Sequence, residues 1–399
     1  MSSPRHPYTF VSFARNPWRT VWQTWEHILS RVARQHRVLF CSRILQWDQI
    51  YRKLKSGEPL AWRRRRVRPN LVDLPPWVWL PGVRQAAGFD RLALSGYATR
   101  IRSHLNRLGW DNRILYIWHP EMVDIVGRLD ERLVCFHCYD TYSQYTWLTP
   151  QERRTVADQE RRLLDRADLV FAAGEAMAAA LPRRDVHVVA NGVDYGLYAT
   201  AHDRTEPPPP EMAEIPHPII AHIGRLHMDL DFKLLVELAR RRRDWSVVLL
   251  GPVPGILPPE HQATLERLLA QPNCHHIDEK PVAELPAYLR HVDVGLMAYQ
   301  KTAGWVKTAA PLKLFEYLAA GKPCVGPPQD ESKRYPGYVS IAETVEEWIA
   351  AIEHWLANDS EDWARKRMAL AKENSWDARC RQIVELIDTK VGGQNRGRA

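Results

Sequence analysis

One pattern constrains this chain more than any other, and it occurs twice. Short apolar runs alternate with segments of helical periodicity, give way to the acidic, proline-rich stretch "AHDRTEPPPPEMAEIPHP", and then begin again. In the first half "YTFVSFA", "VLFCS", "RILYIWHP", "RLVCFHCYD", "DLVFAAG" and "VHVVANG" read as strands. "TVWQTWEHILSRVARQHR" and "QERRTVADQERRLLDRA" read as amphipathic helices between them. After the proline-rich stretch, "IIAHIG", "SVVLLGPV", "CHHID", "VDVGLMAY" and "PCVG" are the strands. Helical segments such as "FKLLVELARRRR", "EHQATLERLLA" and "AELPAYLRH" separate these, and "TVEEWIAAIEHWLAN" and "SWDARCRQIVELIDTKV" close the chain as helices. Strands this apolar, joined through helices, suit parallel sheets covered on both faces. The expectation is an α/β protein of two doubly wound, Rossmann-like domains facing a cleft. They span residues 1–200 and 219–375, with 201–218 as linker and 376–399 as a C-terminal helix packing back on the first domain. A length of 399 residues agrees with two cores.

Composition narrows the function. No apolar run reaches the roughly 18–20 residues that cross a bilayer, and "MSSPRHPYTFVSFARNPW" lacks the apolar core of a signal peptide. A cytoplasmic protein is expected. The six cysteines are scattered, and Cys135 and Cys138 sit inside a strand pattern rather than at metal spacing. A net charge of +8 favours acidic partners, while no nucleic-acid-binding module is recognisable. "AWRRRRVRPN" fits a solvated basic loop and a membrane-surface contact equally well. Trp18, Trp22, Trp25 and Leu29, with Arg15, Arg19, Arg31 and Arg34 around them, fit either core packing or an interfacial helix. Taken together, the two basic segments point to peripheral contact with an anionic membrane at the inner face of the plasma membrane.

Parallel sheets bind ligands beyond the carboxyl ends of their strands. There, "KTAAPLKLFEYLAAGKPCVGPP" runs from a basic loop into a helix that Pro311 can start. Free backbone N–H groups of a first helical turn attract anions, with Lys307 and Lys313 adding charge. Glu316, on the same face as Lys313, suits a ribose diol. In "HIGRL", Gly224 lets a ligand approach the backbone and Arg225 offers a fork for phosphate oxygens. These residues describe a nucleoside-diphosphate pocket. Asp229 and Asp231 form an Asp-x-Asp pair, but acids that open a helix read as caps, and no metal site is expected.

Three segments, in this order and spacing, resemble the C-terminal domain of bacterial GT-B glycosyltransferases: "HIGRLHMDLDFKLLVELARRRRDWSVVLLGPV", "KPVAELPAYLRHVDVGLMAY" and "PLKLFEYLAAGKPCV". The likeness is to exopolysaccharide and teichuronic-acid types, and the segments from "YDTYSQY" to "VVANGVD" match the second part of their N-terminal domain. The resemblance implies a GT-B enzyme that moves a sugar from a nucleotide-sugar donor, its substrate, to a saccharide or polyprenyl-linked acceptor in surface polysaccharide synthesis. No metal and no further cofactor is implied. By position, Glu316 matches the ribose carboxylate, Arg225 the phosphate arginine, Leu312 and Lys313 the diphosphate cradle, and Lys280 to Val282 the nucleobase loop. Two positions depart from the pattern. Thr308 stands where retaining members often carry a second glutamate, and Leu230 stands near the place of a companion phosphate lysine. The first loop, "ARNPWR", lacks the glycine pair or histidine frequent there. An inverting reaction needs a base, and Asp140 at a strand end is the first candidate, with His119 second. Asp140 as a turn cap and His119 as a backbone-bonded histidine are the structural alternatives. A nucleotide-sugar epimerase of the same fold and a non-catalytic nucleotide-sugar-binding protein are the alternative functions.

Overall fold

The computed structural model describes residues 8–14, 18, 23–42, 55, 65–75, 87–140, 142–144, 148–203, 205–253, 255, 257–300 and 312–396. Arg15, Arg19, Trp22, Arg63, Arg64, Lys307, Thr308 and Pro311 lie outside the described residues. The chain forms two units, one of Met1–Ala190 with Cys380–Ala399 and one of Asn191–Arg379. Residues 201–218 therefore fall within the second unit. Their apolar side chains are used there: Met212, the last residue of the 3-10 turn Pro210–Met212, is buried in the second core.

The first unit is built on an eight-stranded sheet of order β3-β4-β2-β1-β5-β6-β7-β8. The strands are β1 (Thr9–Ala14), β2 (Arg37–Ser42), β3 (Arg65–Arg68), β4 (Leu71–Leu74), β5 (Arg113–Ile117), β6 (Leu133–Cys138), β7 (Leu169–Ala172) and β8 (Val186–Val188). All neighbours are parallel except β3 and β4. Every residue of β1, β5 and β6 is buried, as a sheet covered on both faces requires. One face packs Val11, Leu39, Leu115 and Phe136 under the helix Ala87–Leu108, whose residues Tyr97 and Ile101 join that core. The other face is aromatic: Tyr116 stacks on Phe171, and Trp118 stacks on His137 at 4.5 Å. Trp118 Nε1 donates to Ser12 Oγ at 2.9 Å, and the Tyr116 hydroxyl meets His137 Nδ1 at 2.9 Å.

Two expectations for this unit change. The first helix spans only Thr24–Val32, begun by Gln23, whose backbone N–H donates to Glu26. Trp25, Ile28, Leu29 and Val32 are buried along it, each worth roughly 1.5–3 kcal/mol. Trp18 lies before the helix, buried against Phe40. Trp18, Trp25 and Leu29, the described members of the stripe, are core, because the first unit takes up the apolar face that an interfacial helix would offer to lipid. The second change concerns "RRVR", which is strand β3 rather than a loop. Pro69 and Asn70 turn the chain back, so that Arg65 to Arg68 pair antiparallel with Leu71 to Asp73. Cys135 and Cys138 are buried strand residues, as their pattern suggested, and burial raises both thiols.

The second unit carries a six-stranded sheet, parallel throughout, of order β11-β10-β9-β12-β13-β14. Its strands are β9 (Ile219–Ile223), β10 (Ser246–Leu250), β11 (Cys274–Ile277), β12 (Val294–Leu296), β13 (Cys324–Gly326) and β14 (Val339–Ile341). Leu235, Leu238, Trp245 and Trp348 fill one face, while Leu314, Phe315, Tyr317 and Leu318 fill the other. Capping boxes start the helices Pro150–Arg166 and Val345–Asn358, through Thr149 with Glu152 and Thr344 with Glu347. No helix among the described residues is long and apolar enough to cross a membrane.

Candidate functional site

In the second unit the carboxyl ends of β9 and β10 meet the helix Leu312–Ala319. That helix is fixed by Tyr317, whose hydroxyl accepts from the Ile223 backbone N–H at 3.0 Å and reaches the carbonyls of Ala221 and Leu296 at 3.2 and 3.3 Å. The Tyr317 ring lies on Gly295, where a Cβ would come within 2.6 Å of it. One side chain thus ties the helix to both β9 and β12, and Lys313, one turn before it on the same side of the helix, is brought to the end of β9.

Two glycines shape the floor. Gly224 ends β9 with φ +134°, and Gly251 ends β10 with φ +145°. A Cβ on Gly251 would stand 2.3 Å from the Gly224 carbonyl oxygen, so the two turns can pack this closely only as glycines. A Cβ on Gly224 would meet Lys313 Cε and Nζ at 2.5 Å. The lysine therefore lies along bare backbone, and its ammonium donates to the Tyr299 hydroxyl at 2.9 Å. Glu316 is partly buried and accepts from the Tyr198 hydroxyl at 3.0 Å. Burial raises its carboxyl above the ordinary range, while Lys313 and the Tyr198 hydroxyl pull it back. His222, beneath Tyr299, is wholly buried; burial and then the Lys313 charge push its ring well below its ordinary value. Neutral at physiological pH, it donates from Nδ1 to the Leu296 carbonyl at 3.1 Å.

Gly224, Lys313 and Glu316 thus come together, with Leu312 opening the helix that carries the last two. Arg225 is exposed beside Gly224. Lys280 has other company: its ammonium pairs with Glu211 and lies 5.8 Å from the centre of the Tyr288 ring. Val282 is 44% exposed. Asp231 caps the helix Phe232–Arg241 by accepting from Leu234 N–H at 3.0 Å, and Asp229 sits 3.3 Å from His227 Nδ1. Lys307 cannot be placed, since it lies outside the described residues.

In the first unit, Asp140 follows β6 and His119 follows β5, its neighbour in the sheet. His119 is buried, and its Nδ1 accepts from the Glu121 backbone N–H at 3.3 Å, which starts the 3-10 turn Pro120–Ile125. Its ring meets Tyr142 edge-on at 4.4 Å. Asp140 is half-buried, with its carbonyl 3.5 Å from Cys138 Sγ. Sequence reasoning missed Tyr198, Tyr299 and Gly251. Gly251 had a visible signal, being the glycine that ends the strand "SVVLLG" next to the one that ends "IIAHIG". The tyrosines had none.

Comparison with known proteins agrees with this architecture. Residues 217–358 match the family described as glycosyl transferases group 1. The putative teichuronic acid biosynthesis glycosyltransferase TuaH of Bacillus subtilis is 29% identical over 268 residues, which cover 63% of this chain. That stretch is 66% of the relative, just under two thirds of its length. Among solved structures, HepE of Anabaena in complex with UDP and glucose aligns over 95% of this chain and 99% of its own, with TM-score 0.61 and 14% identity. A UDP-forming α,α-trehalose-phosphate synthase from Burkholderia xenovorans aligns over 96% and 98%, with TM-score 0.65 and 12% identity. At such identities the likeness to these structures is one of fold. The fold and the site together define a two-domain α/β protein of GT-B type. The chain thus has the GT-B fold, and its second unit matches the group 1 glycosyl transferase domain.

Proposed function

We propose that the chain transfers a sugar from a nucleoside-diphosphate sugar to a saccharide or lipid-linked acceptor during synthesis of a bacterial surface polysaccharide. The observation that carries this reading is the meeting of Gly224, Lys313 and Glu316 at the carboxyl end of β9. Glu316 takes the ribose hydroxyls as hydrogen-bond donors. Lys313 and Arg225 face the diphosphate, and bare backbone at Gly224 allows its close approach. Lys280 and Val282 flank the nucleobase. The relative's printed role in teichuronic acid biosynthesis supports an envelope polysaccharide as the product.

In the transfer, an acceptor oxygen forms a bond to the anomeric carbon as the bond from that carbon to the phosphate oxygen breaks. The nucleoside diphosphate leaves with the electron pair, and cations at the phosphates stabilise its growing charge. The acceptor proton goes to the Asp140 carboxylate in an inverting displacement. His119 serves this role less well, because burial and the Glu121 amide already occupy its ring. Exposed Arg65, Arg66 and Arg68 support contact with anionic headgroups at the cytoplasmic membrane face, where a lipid-linked acceptor would be met.

A panel of nucleotide sugars, offered with lipid extract to the wild-type chain and to Asp140→Asn, tests this function. Wild type should transfer sugar with inversion. Asp140→Asn should keep nucleotide affinity and lose roughly 10²–10⁴-fold in transfer. Full activity of that variant, or a product of retained configuration, would overturn the inverting scheme. Epimerised sugar without transfer would make the chain an epimerase, and binding without turnover would make it a binding protein.

A further inference from the structure

Lys313 and Glu316 stand three residues apart on one helix, carry opposite charges and share a face. Such neighbours commonly pair. Here they do not: among the described residues neither has the other as an ion-pair partner, and each takes a tyrosine hydroxyl instead. The tyrosines come from separate places. Tyr198 ends the short helix Tyr195–Tyr198, and Tyr299 follows β12 by three residues. Both rings belong to the core of the second unit, 4% and 5% exposed, so that packing fixes where each hydroxyl points.

We propose that Tyr198 and Tyr299 are positioning residues that keep Glu316 and Lys313 from neutralising each other, leaving both charges set for a nucleoside diphosphate before it arrives. The proposal rests on the donor site described above and assigns it two further residues. A hydroxyl suits this work because it orients an ion without cancelling its charge. On Glu316 the tyrosine takes one oxygen, and Oε2 has no partner among the described residues, so it remains for a sugar hydroxyl. On Lys313 the tyrosine accepts one ammonium proton and leaves two. Gly224 confines the lysine from the other side, where its Cε and Nζ fill the space a Cβ would need. The direction of the first bond is fixed, since burial and the nearby Glu316 charge hold the Tyr198 hydroxyl protonated throughout the working pH range. An ion pair in this place would have to be broken by every incoming nucleotide. The tyrosine contacts remove that cost beforehand, which is preorganisation in its ordinary sense.

The test is a pair of double-mutant cycles on the full chain, read by calorimetric titration with UDP, GDP and ADP. Tyr198→Phe and Tyr299→Phe each remove one oxygen and keep the packed ring. For the nucleotide that wild type binds, each should weaken affinity by roughly 3- to 10-fold. The loss from Tyr299→Phe should vanish in a Lys313→Met background, and should be absent when the nucleoside without phosphates is titrated. The loss from Tyr198→Phe should vanish in a Glu316→Gln background, and also with the 2′,3′-dideoxy nucleotide. If each tyrosine variant lost the same affinity with and without its charged partner, the hydroxyls would be ordinary packing and the inference would fall. It would also fall, alone, if Lys313→Met and Glu316→Gln weakened binding while both tyrosine variants bound as wild type. Unaltered affinity in Lys313→Met and Glu316→Gln would instead remove the donor site itself, and the inference with it.

Discussion

Glu316 occupies a position where the same carboxylate serves structure and recognition. It is partly withdrawn from water, held by Tyr198 and felt by Lys313. Glu316→Ala should weaken binding of the cognate nucleotide by about 1.5–3 kcal/mol, the worth of a hydrogen bond to a charged group. It should also leave the Tyr198 hydroxyl buried without its acceptor, so a smaller loss of stability accompanies the loss of affinity. Titration and melting on one preparation separate the two, and unchanged nucleotide affinity would displace the ribose site. What the sequence shows at this scale is uneven. Glu316 and Lys313 are visible because helical spacing joins them, and Gly224 and Arg225 because they end an apolar run. Tyr198 is invisible by the same logic: its partner is 118 residues away, and no periodicity reports a contact of that separation.

Elements, rather than single groups, set the floor of the site. The turns after β9 and β10 both run through positive φ, and their backbones touch at Gly251 and Gly224. Gly251→Ala would force a methyl onto a carbonyl that cannot move without shifting β9. At least the 1–3 kcal/mol or so of a strained backbone should be lost from the second unit, measured as a lower melting temperature. Gly224→Ala should be milder for stability, because the obstructing atoms are the flexible end of Lys313. Its cost should appear in nucleotide affinity, since the displaced ammonium leaves Tyr299. Equal melting of wild type and Gly251→Ala would show the turn to be tolerant. The strand pattern was legible because fully buried parallel strands are continuous apolar runs. The hairpin of β3 and β4 and the helix Glu361–Glu373 are not legible in the sequence, the first because arginines hide a strand and the second because charged residues outnumber apolar ones along it. The first helix was read too long, since periodicity continued past the Gln23 cap that starts it.

At the scale of the whole chain, buried histidines couple folding to acidity. His137 lies among Tyr116, Trp118 and Phe171, and burial lowers its value from the ordinary 6.5 to about 3. His222 in the other unit is shifted in the same direction. Below pH 6.5 the unfolded chain binds a proton that the folded chain refuses until about pH 3, so stability falls as pH drops through that window. The slope approaches about 1.4 kcal/mol per pH unit for each such ring. Urea unfolding at pH 7.5 and pH 5 should show this loss, and His137→Phe should lessen it even though the Tyr116 hydroxyl loses its partner. Identical pH dependence in the variant would assign the acid sensitivity to other groups.

The two rims of the first sheet bear on how the protein behaves in a crowded solution. An open sheet ends in unpaired peptide groups, and another chain can add a strand there. On one rim the outermost strand among the described residues is β3, which displays Arg65, Arg66 and Arg68 to solvent. On the other rim β8 has only three residues, and the Gln382 amide already donates to its Val188 carbonyl at 3.0 Å. Like charges repel a second copy approaching the first rim, and the second offers too little backbone to template anything. Strand-by-strand growth into fibrils is thus blocked at both ends, and replacing the three arginines with threonine would open the first end to it.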